Sequence, residues 1–140
     1  MLVIDASAAL YLLASENGVE PFADLELTAP ALLWSEVTSV LNEMRWRSEL
    51  SAPLADAAFD RLLASPIDRY ASEELYRDAR AAARELGWAK TYDAEYVALA
   101  RRLEVQVLSR DDRLRRGAGR LITVVAPDEL LPPEQSTRLA

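Results

Sequence analysis

Leu2-Val-Ile-Asp-Ala-Ser7 opens the chain, and Val105-Gln-Val-Leu-Ser-Arg-Asp-Asp112 has the same plan near its other end. Each is a short apolar run that stops in acid. Leu2 to Ile4 is continuously apolar and Val105 to Leu108 is apolar but for Gln106, as in short strands buried in a parallel sheet. Working outward from the first, Asp5 or Ser7 can cap a helix through Ala8 to Leu13. Asn17-Gly18 signals a turn, Leu25 to Thr28 a second strand, and Pro30 the first residue of a helix reaching about Arg47. Ser51 and Pro53 start a helix that ends near Ser65, and Ile67 to Tyr70 is a brief strand. Helices follow from Ser72 to Gly87 and from Thr91 to Leu103. Beyond Leu108, Asp111 to Arg116 reads as a helical turn, Gly117 to Gly119 as a loop and Leu121 to Val125 as a last strand. Strands alternating with helices predict an α/β fold, a mostly parallel central sheet flanked by helices. Ligands of such sheets bind outside the carboxyl ends of the strands, which is where Asp5, Asp111 and Asp112 fall.

The 140 residues make one domain, expected over 1–131, with a loose tail at 132–140. No stretch is long enough to span a membrane, and no basic residue precedes the opening apolar run, so neither anchor nor signal peptide is expected and a cytoplasmic protein is. There are 16 Lys and Arg against 23 Asp and Glu, a net charge of −7, which argues against nucleic-acid binding by bulk charge alone. Cysteine and histidine are both absent. That removes disulfides, thiolate sites, imidazole bases and nearly every zinc centre. Chemistry is left to carboxylates, hydroxyls, the single lysine Lys90 and the backbone.

Two further acids stand in unusual places. Glu36 lies about 60° from Leu33 on a helical wheel, at the edge of a stripe formed by Leu33, Val37, Val40 and Met44. Asp93 precedes Tyr96, Val97 and Ala100 at helical spacing, which puts it on an inward face. Taken singly, each acid has a plain structural explanation: capping for Asp5 and Asp93, a strand-to-helix turn for Asp111 and Asp112, a boundary position for Glu36. Taken together, acids gathered at one crevice repel by about 3 kcal/mol per pair at ~5 Å and an effective dielectric of ~20. Such clusters are held by hard cations, and oxygen-only ligation selects Mg²⁺ or Mn²⁺. The matching chemistry is metal-assisted phosphoryl transfer, which needs no imidazole.

On these residues the chain resembles the PIN domains, specifically the VapC-type toxins of bacterial toxin–antitoxin pairs. Val3-Ile-Asp-Ala-Ser7 resembles the family's first motif, and Pro30-Ala-Leu-Leu-Trp-Ser-Glu36 its proline-led glutamate helix. Tyr92-Asp-Ala-Glu-Tyr-Val-Ala-Leu-Ala100 resembles the third motif and Leu108-Ser-Arg-Asp-Asp-Arg-Leu114 the fourth. The resemblance implies a three-layer fold and a Mg²⁺- or Mn²⁺-dependent endoribonuclease, inhibited by a cognate antitoxin protein and often a homodimer. It implies Asp5, Glu36, Asp93 and Asp111 as the catalytic acids, with Asp5, Asp93 and Asp111 on metal and Glu36 and Asp112 assisting directly or through water. It also implies Ser7 and Ser109 as hydroxyls supporting them. Residues 48–90 carry no family motif.

Arg110, Arg113, Arg115, Arg116 and Arg120 cluster after the fourth motif and are candidates for RNA phosphate contacts, against a solvated face as the plain reading. Trp46 points about 160° from the Leu33 stripe, toward a partner surface or a second packed helix. A strand-one-aspartate phosphatase would want acid where Ser7 stands, and a receiver domain would want a lysine at a strand end, where Lys90 is not. The alternative class is a catalytically silent PIN-like module that binds protein. The sequence does not name the RNA or the antitoxin.

Overall fold

The computed structural model describes residues 1–15, 20 and 23–130. Their elements run β1 (Leu2–Ile4), α1 (Ala6–Ala14), β2 (Leu27–Pro30), α2 (Leu32–Trp46), α3 (Ala52–Ala64), β3 (Ile67–Tyr70), α4 (Glu73–Leu86), α5 (Tyr92–Leu103), β4 (Gln106–Leu108), α6 (Asp112–Ala118), β5 (Val124–Val125) and α7 (Pro127–Leu130). The strands form one all-parallel sheet in the order β3-β2-β1-β4-β5. β1 is central, with Val3 opposite Thr28 on one side and Val107 on the other. The chain steps outward from β1 to β3 and then returns across the sheet to lay β4 against β1. Strand order therefore reverses between β1 and β4, which opens a crevice above their carboxyl ends.

Right-handed crossovers put α1, α2 and α3 on one face and α4, α5 and α6 on the other. Accordingly α1, α2 and α3 pack on one another, while α4 runs along α5 and α5 lies against β1, β2 and β4. Val3, Ile4, Val107 and Leu108 have no solvent exposure, since helices cover both faces of their strands. Each such side chain contributes about 1.5–3 kcal/mol by leaving water. Ser51 caps α3 and Ser72 caps α4, each accepting an N–H of the first turn. Gly87 ends α4 at φ 73, a left-handed conformation that disfavours any residue with a Cβ.

Several boundaries differ from the sequence reading. Pro30 closes β2 rather than opening α2; β1 pairs with β2 only as far as Thr28, so the proline lies beyond the central ladder. Val105 lies in the turn that closes α5 rather than in β4, its N–H bonded to Ala100 O at 3.0 Å after the left-handed Glu104. Gly117 and Ala118 extend α6, because Ala118 is fully buried in the core. Leu121 and Ile122 form a turn on Ala118 O, which shortens the last strand to two residues. The buried side of α2 is Leu33, Val37 and Leu41, with Val40 and Met44 only half-buried, since α3 covers the Leu41 flank. Trp46 is 77% exposed. The Asn17-Gly18 turn and the 132–140 tail lie outside the described residues.

Candidate active site

Asp5 sits at the reversal point. Its N–H pairs with Leu108 O at 3.1 Å, as an extension of the β1–β4 ladder, and its side chain caps α1. Oδ1 accepts from the N–H of Ala8 (2.9 Å) and the hydroxyl of Ser7 (2.7 Å). Oδ2 accepts from the hydroxyl of Ser109 at 2.5 Å. Both serines are in turn held by the next loop: Ser7 Oγ accepts the N–H of Arg110 and Ser109 Oγ that of Asp111, each at 2.9 Å. Two hydroxyls thus tie the β4–α6 turn to the β1 aspartate across the crevice. Burial raises the Asp5 pKa, and the charge of Asp111 adds to it, against these hydrogen bonds.

Asp111 caps α6, accepting from the N–H groups of Arg113 (2.9 Å) and Leu114 (3.4 Å). Glu36, half-buried on α2, accepts a 2.7 Å hydrogen bond from the Tyr96 hydroxyl on α5. Burial raises the Glu36 pKa and the charges of Asp93 and Asp5 raise it further, while the tyrosine opposes them. The Asp93 carboxyl is also raised, by desolvation and then by Asp111, with Arg113 opposing. Glu36, Asp93 and Asp111 line one cleft of about 650 Å³ together with Trp88, Lys90, Tyr92 and Arg113.

The expected quartet therefore comes to one end of the sheet, and its members sense one another's charge. Asp93 departs from its expected inward orientation. It is exposed in the first turn of α5, while Ala94 and Tyr96 just after it are buried. Asp112 is exposed at the first position of α6 and does not line the cleft. Among the described residues, no three acidic groups stand close enough, as their side chains lie, to hold a metal ion. The donor set still suits one in kind. The crevice offers oxygen alone, with carboxylates destabilised by each other's charge, the state a hard divalent cation relieves.

The arginines divide. Arg113 lines the cleft, and Arg110 stacks over the Tyr11 ring at 3.8 Å, one helical turn beyond Ser7. Arg115 is engaged elsewhere, bonding Val124 O and pairing with Glu129, so it fastens β5 and α7 rather than facing the crevice. Arg120 bonds Glu85 O at the opposite end of the sheet, and Arg116 is exposed on α6. Two features escaped the sequence reading. Tyr96 reads as a core aromatic, yet its hydroxyl holds Glu36. Glu95 is a buried acid, 9% exposed, with its pKa raised by desolvation and by Glu36. Nothing in the spacing separates Glu95 from a surface glutamate of the first turn.

A doubly wound parallel α/β domain with acids near its reversal point defines a class whose ligands bind outside the carboxyl ends of the strands. The PIN domain family model matches residues 2–120, so the chain belongs to the PIN domain family. Its members are generally nucleases and typically use divalent metal ions. Among solved structures, PAE2754 from Pyrobaculum aerophilum is similar at a TM-score of 0.75 and 18% identity, over 99% of this chain and 93% of that one. FitAcB from Neisseria gonorrhoeae is similar at 0.61 and 18%, over 93% and 100%. No curated protein sequence matches the chain. Among the described residues no helix is long and apolar enough to cross a membrane.

Proposed function

We propose that this PIN domain is a Mg²⁺- or Mn²⁺-dependent endoribonuclease and the toxin of a toxin–antitoxin pair. What supports the reading is that Asp5 after β1, Glu36 on α2, Asp93 on α5 and Asp111 in the β4–α6 turn lie near enough for each to feel the charge of another, with Glu36, Asp93 and Asp111 lining one cleft. Asp5, Asp93 and Asp111 would hold the ion, with Glu36 and Asp112 contributing directly or through water. When bound, such an ion activates water and offsets the charge that builds on phosphate and leaving oxygen. Ser7 and Ser109 orient Asp5 and favour its charged form by donating to both of its oxygens. Tyr96 fixes Glu36 in the same way. Arg113 and Arg110 flank the acids and would meet phosphates of the RNA. Zn²⁺ is not the expected ion, since nitrogen and sulfur ligands are lacking.

The toxin assignment rests on the four-motif resemblance and on an acidic crevice that attracts cations. A cognate antitoxin would cover apolar helix surface and place a basic side chain among the acids. Cytoplasmic location and a homodimer belong to the same reading. RNA cleavage assayed in Mg²⁺, in Mn²⁺ and in EDTA, with and without the product of an adjacent small gene, tests it. Cleavage that needs metal and stops on adding that protein supports both halves. Tight protein binding without cleavage in any divalent ion would return the chain to the silent binding module.

A further inference from the structure

Tyr92 is 59% exposed although it begins the helix that carries Asp93, and its ring borders two cavities. One is the acid cleft. The other, about 390 Å³, has Leu32 and Val40 as apolar wall and the Ser35 and Ser39 hydroxyls at its side. Glu36 belongs to both, so the two spaces meet at a catalytic candidate. Beside Tyr92 in the acid cleft stand Lys90 and Arg113, both exposed. Trp88 also lines that cleft and packs close to Gly117, where a Cβ would stand only 3.1 Å from its indole.

An exposed aromatic ring, apolar side chains in the adjoining cavity and two cations in the acid cleft are the parts from which a nucleotide site is built. The ring offers stacking that any base can use, and the cations take the phosphates. At a net charge of −7 the protein lacks the field that lets basic modules hold RNA through its backbone alone, so base contacts carry more of the binding. Resting on the ribonuclease reading, we propose that Tyr92 is the base-stacking residue of this site. A nucleobase next to the scissile phosphate lies on its ring in the Leu32–Val40 cavity, while Lys90 and Arg113 contact the adjoining phosphates. The substrate is then unpaired RNA, because a base within a duplex cannot reach the ring.

The test is a binding titration in EDTA, so that no cleavage intervenes. Labelled single-stranded RNA of about 8 nucleotides is compared with an abasic strand of the same length and with a duplex. The abasic strand carries the same phosphates, so repulsion from the metal-free acids cancels in the ratio. The intact strand is expected to bind about tenfold more tightly than the abasic one, within the range for one stacked base. Tyr92→Ala removes that preference and Tyr92→Phe keeps it. Lys90→Gln weakens both strands alike and lowers the salt slope by about 0.7. Equal binding of intact and abasic RNA, or a Tyr92→Ala protein with the wild-type preference, overturns the proposal while metal-dependent cleavage stands. A Tyr92→Ala protein that loses only antitoxin binding also overturns it and makes the ring a protein contact. Absence of both RNA binding and metal-dependent cleavage overturns this inference and the ribonuclease reading together.

Discussion

Asp5 holds a helix and two serine hydroxyls with its two buried oxygens. Oδ1 takes the α1 N–H and the Ser7 hydroxyl, and Oδ2 takes Ser109. Ser109 is 3% exposed, so water cannot replace its hydroxyl. Ser109→Ala is expected to destabilise the fold by about 2 kcal/mol, because it strips a buried carboxylate of one bond and orphans the Asp111 N–H. Ser7→Ala, at a half-buried position, is expected to lose about half as much; urea melts of both variants check the order. Asp93 presents the opposite case. It is exposed, and its pKa is raised by desolvation and by Asp111. Asp93→Asn is expected to leave the metal-free protein as stable or up to about 1 kcal/mol more so, after solvent screening. The same change should cut cleavage by orders of magnitude and shrink the Mg²⁺-induced shift in Tm. Wild-type cleavage with a wild-type Mg²⁺ shift would leave Asp93 as a residue of the helix start. The acids themselves were legible in the chain, since strand ends and helix edges are unusual places for charge. Their partners were not, because a hydroxyl two residues from an acid caps or supports depending on what the fold brings opposite.

At the scale of elements, α5 connects the core to the site. Its middle is buried from Ala94 to Ala100, and within that run Tyr96 reaches Glu36 on α2. Tyr96→Phe keeps the ring packing and removes only the hydroxyl. Stability is expected to fall by less than about 1.5 kcal/mol, while metal affinity or cleavage falls about tenfold or more, as for groups that orient a ligand. Mn²⁺ titrations beside melts separate the two effects; equal losses in both would make Tyr96 a packing residue. Periodicity found this helix and its neighbours because their caps and apolar stripes are local. It misplaced Val105 and Leu121, whose backbone N–H groups are spent on turns at Ala100 O and Ala118 O. A short apolar run looks alike in a strand and in the turn before one. Asp93 differs from the wheel only in exposure: a helical wheel has no end, whereas Asp93 stands in the open first turn of α5 on the cleft shared with Glu36 and Asp111.

For the whole molecule, strand order decides where the acids meet, and order is the feature least visible in a linear pattern. The alternation of strands and helices indicated a parallel sheet, and the reversal between β1 and β4 follows only from the assembled fold. Gathering acids there has a pH signature. Asp5, Glu36, Asp93 and Glu95 all have pKa values raised above their ordinary 3.8 or 4.5. Between those ordinary values and the raised ones the folded chain holds protons that the unfolded chain has released, so stability falls as pH rises through the window. Glu129 is shifted the other way by Arg115, but on the surface, where such a pair contributes little. The metal-free protein is expected to lose Tm as pH rises from the ordinary carboxylate values through the raised ones, and saturating Mn²⁺ should flatten or reverse that slope. A metal-free Tm that climbs steadily as pH rises above the ordinary carboxylate values would mean that the acids do not strain one another.

The central claim is that these acids make a metal-dependent ribonuclease, and single-turnover cleavage of unpaired RNA tests it most directly. Wild-type protein should cut in Mg²⁺ or Mn²⁺ and stop in EDTA, and Asp5→Asn and Asp111→Asn should be slower by orders of magnitude in either ion. Cleavage at full rate in EDTA, or undiminished cleavage by both variants, would contradict it.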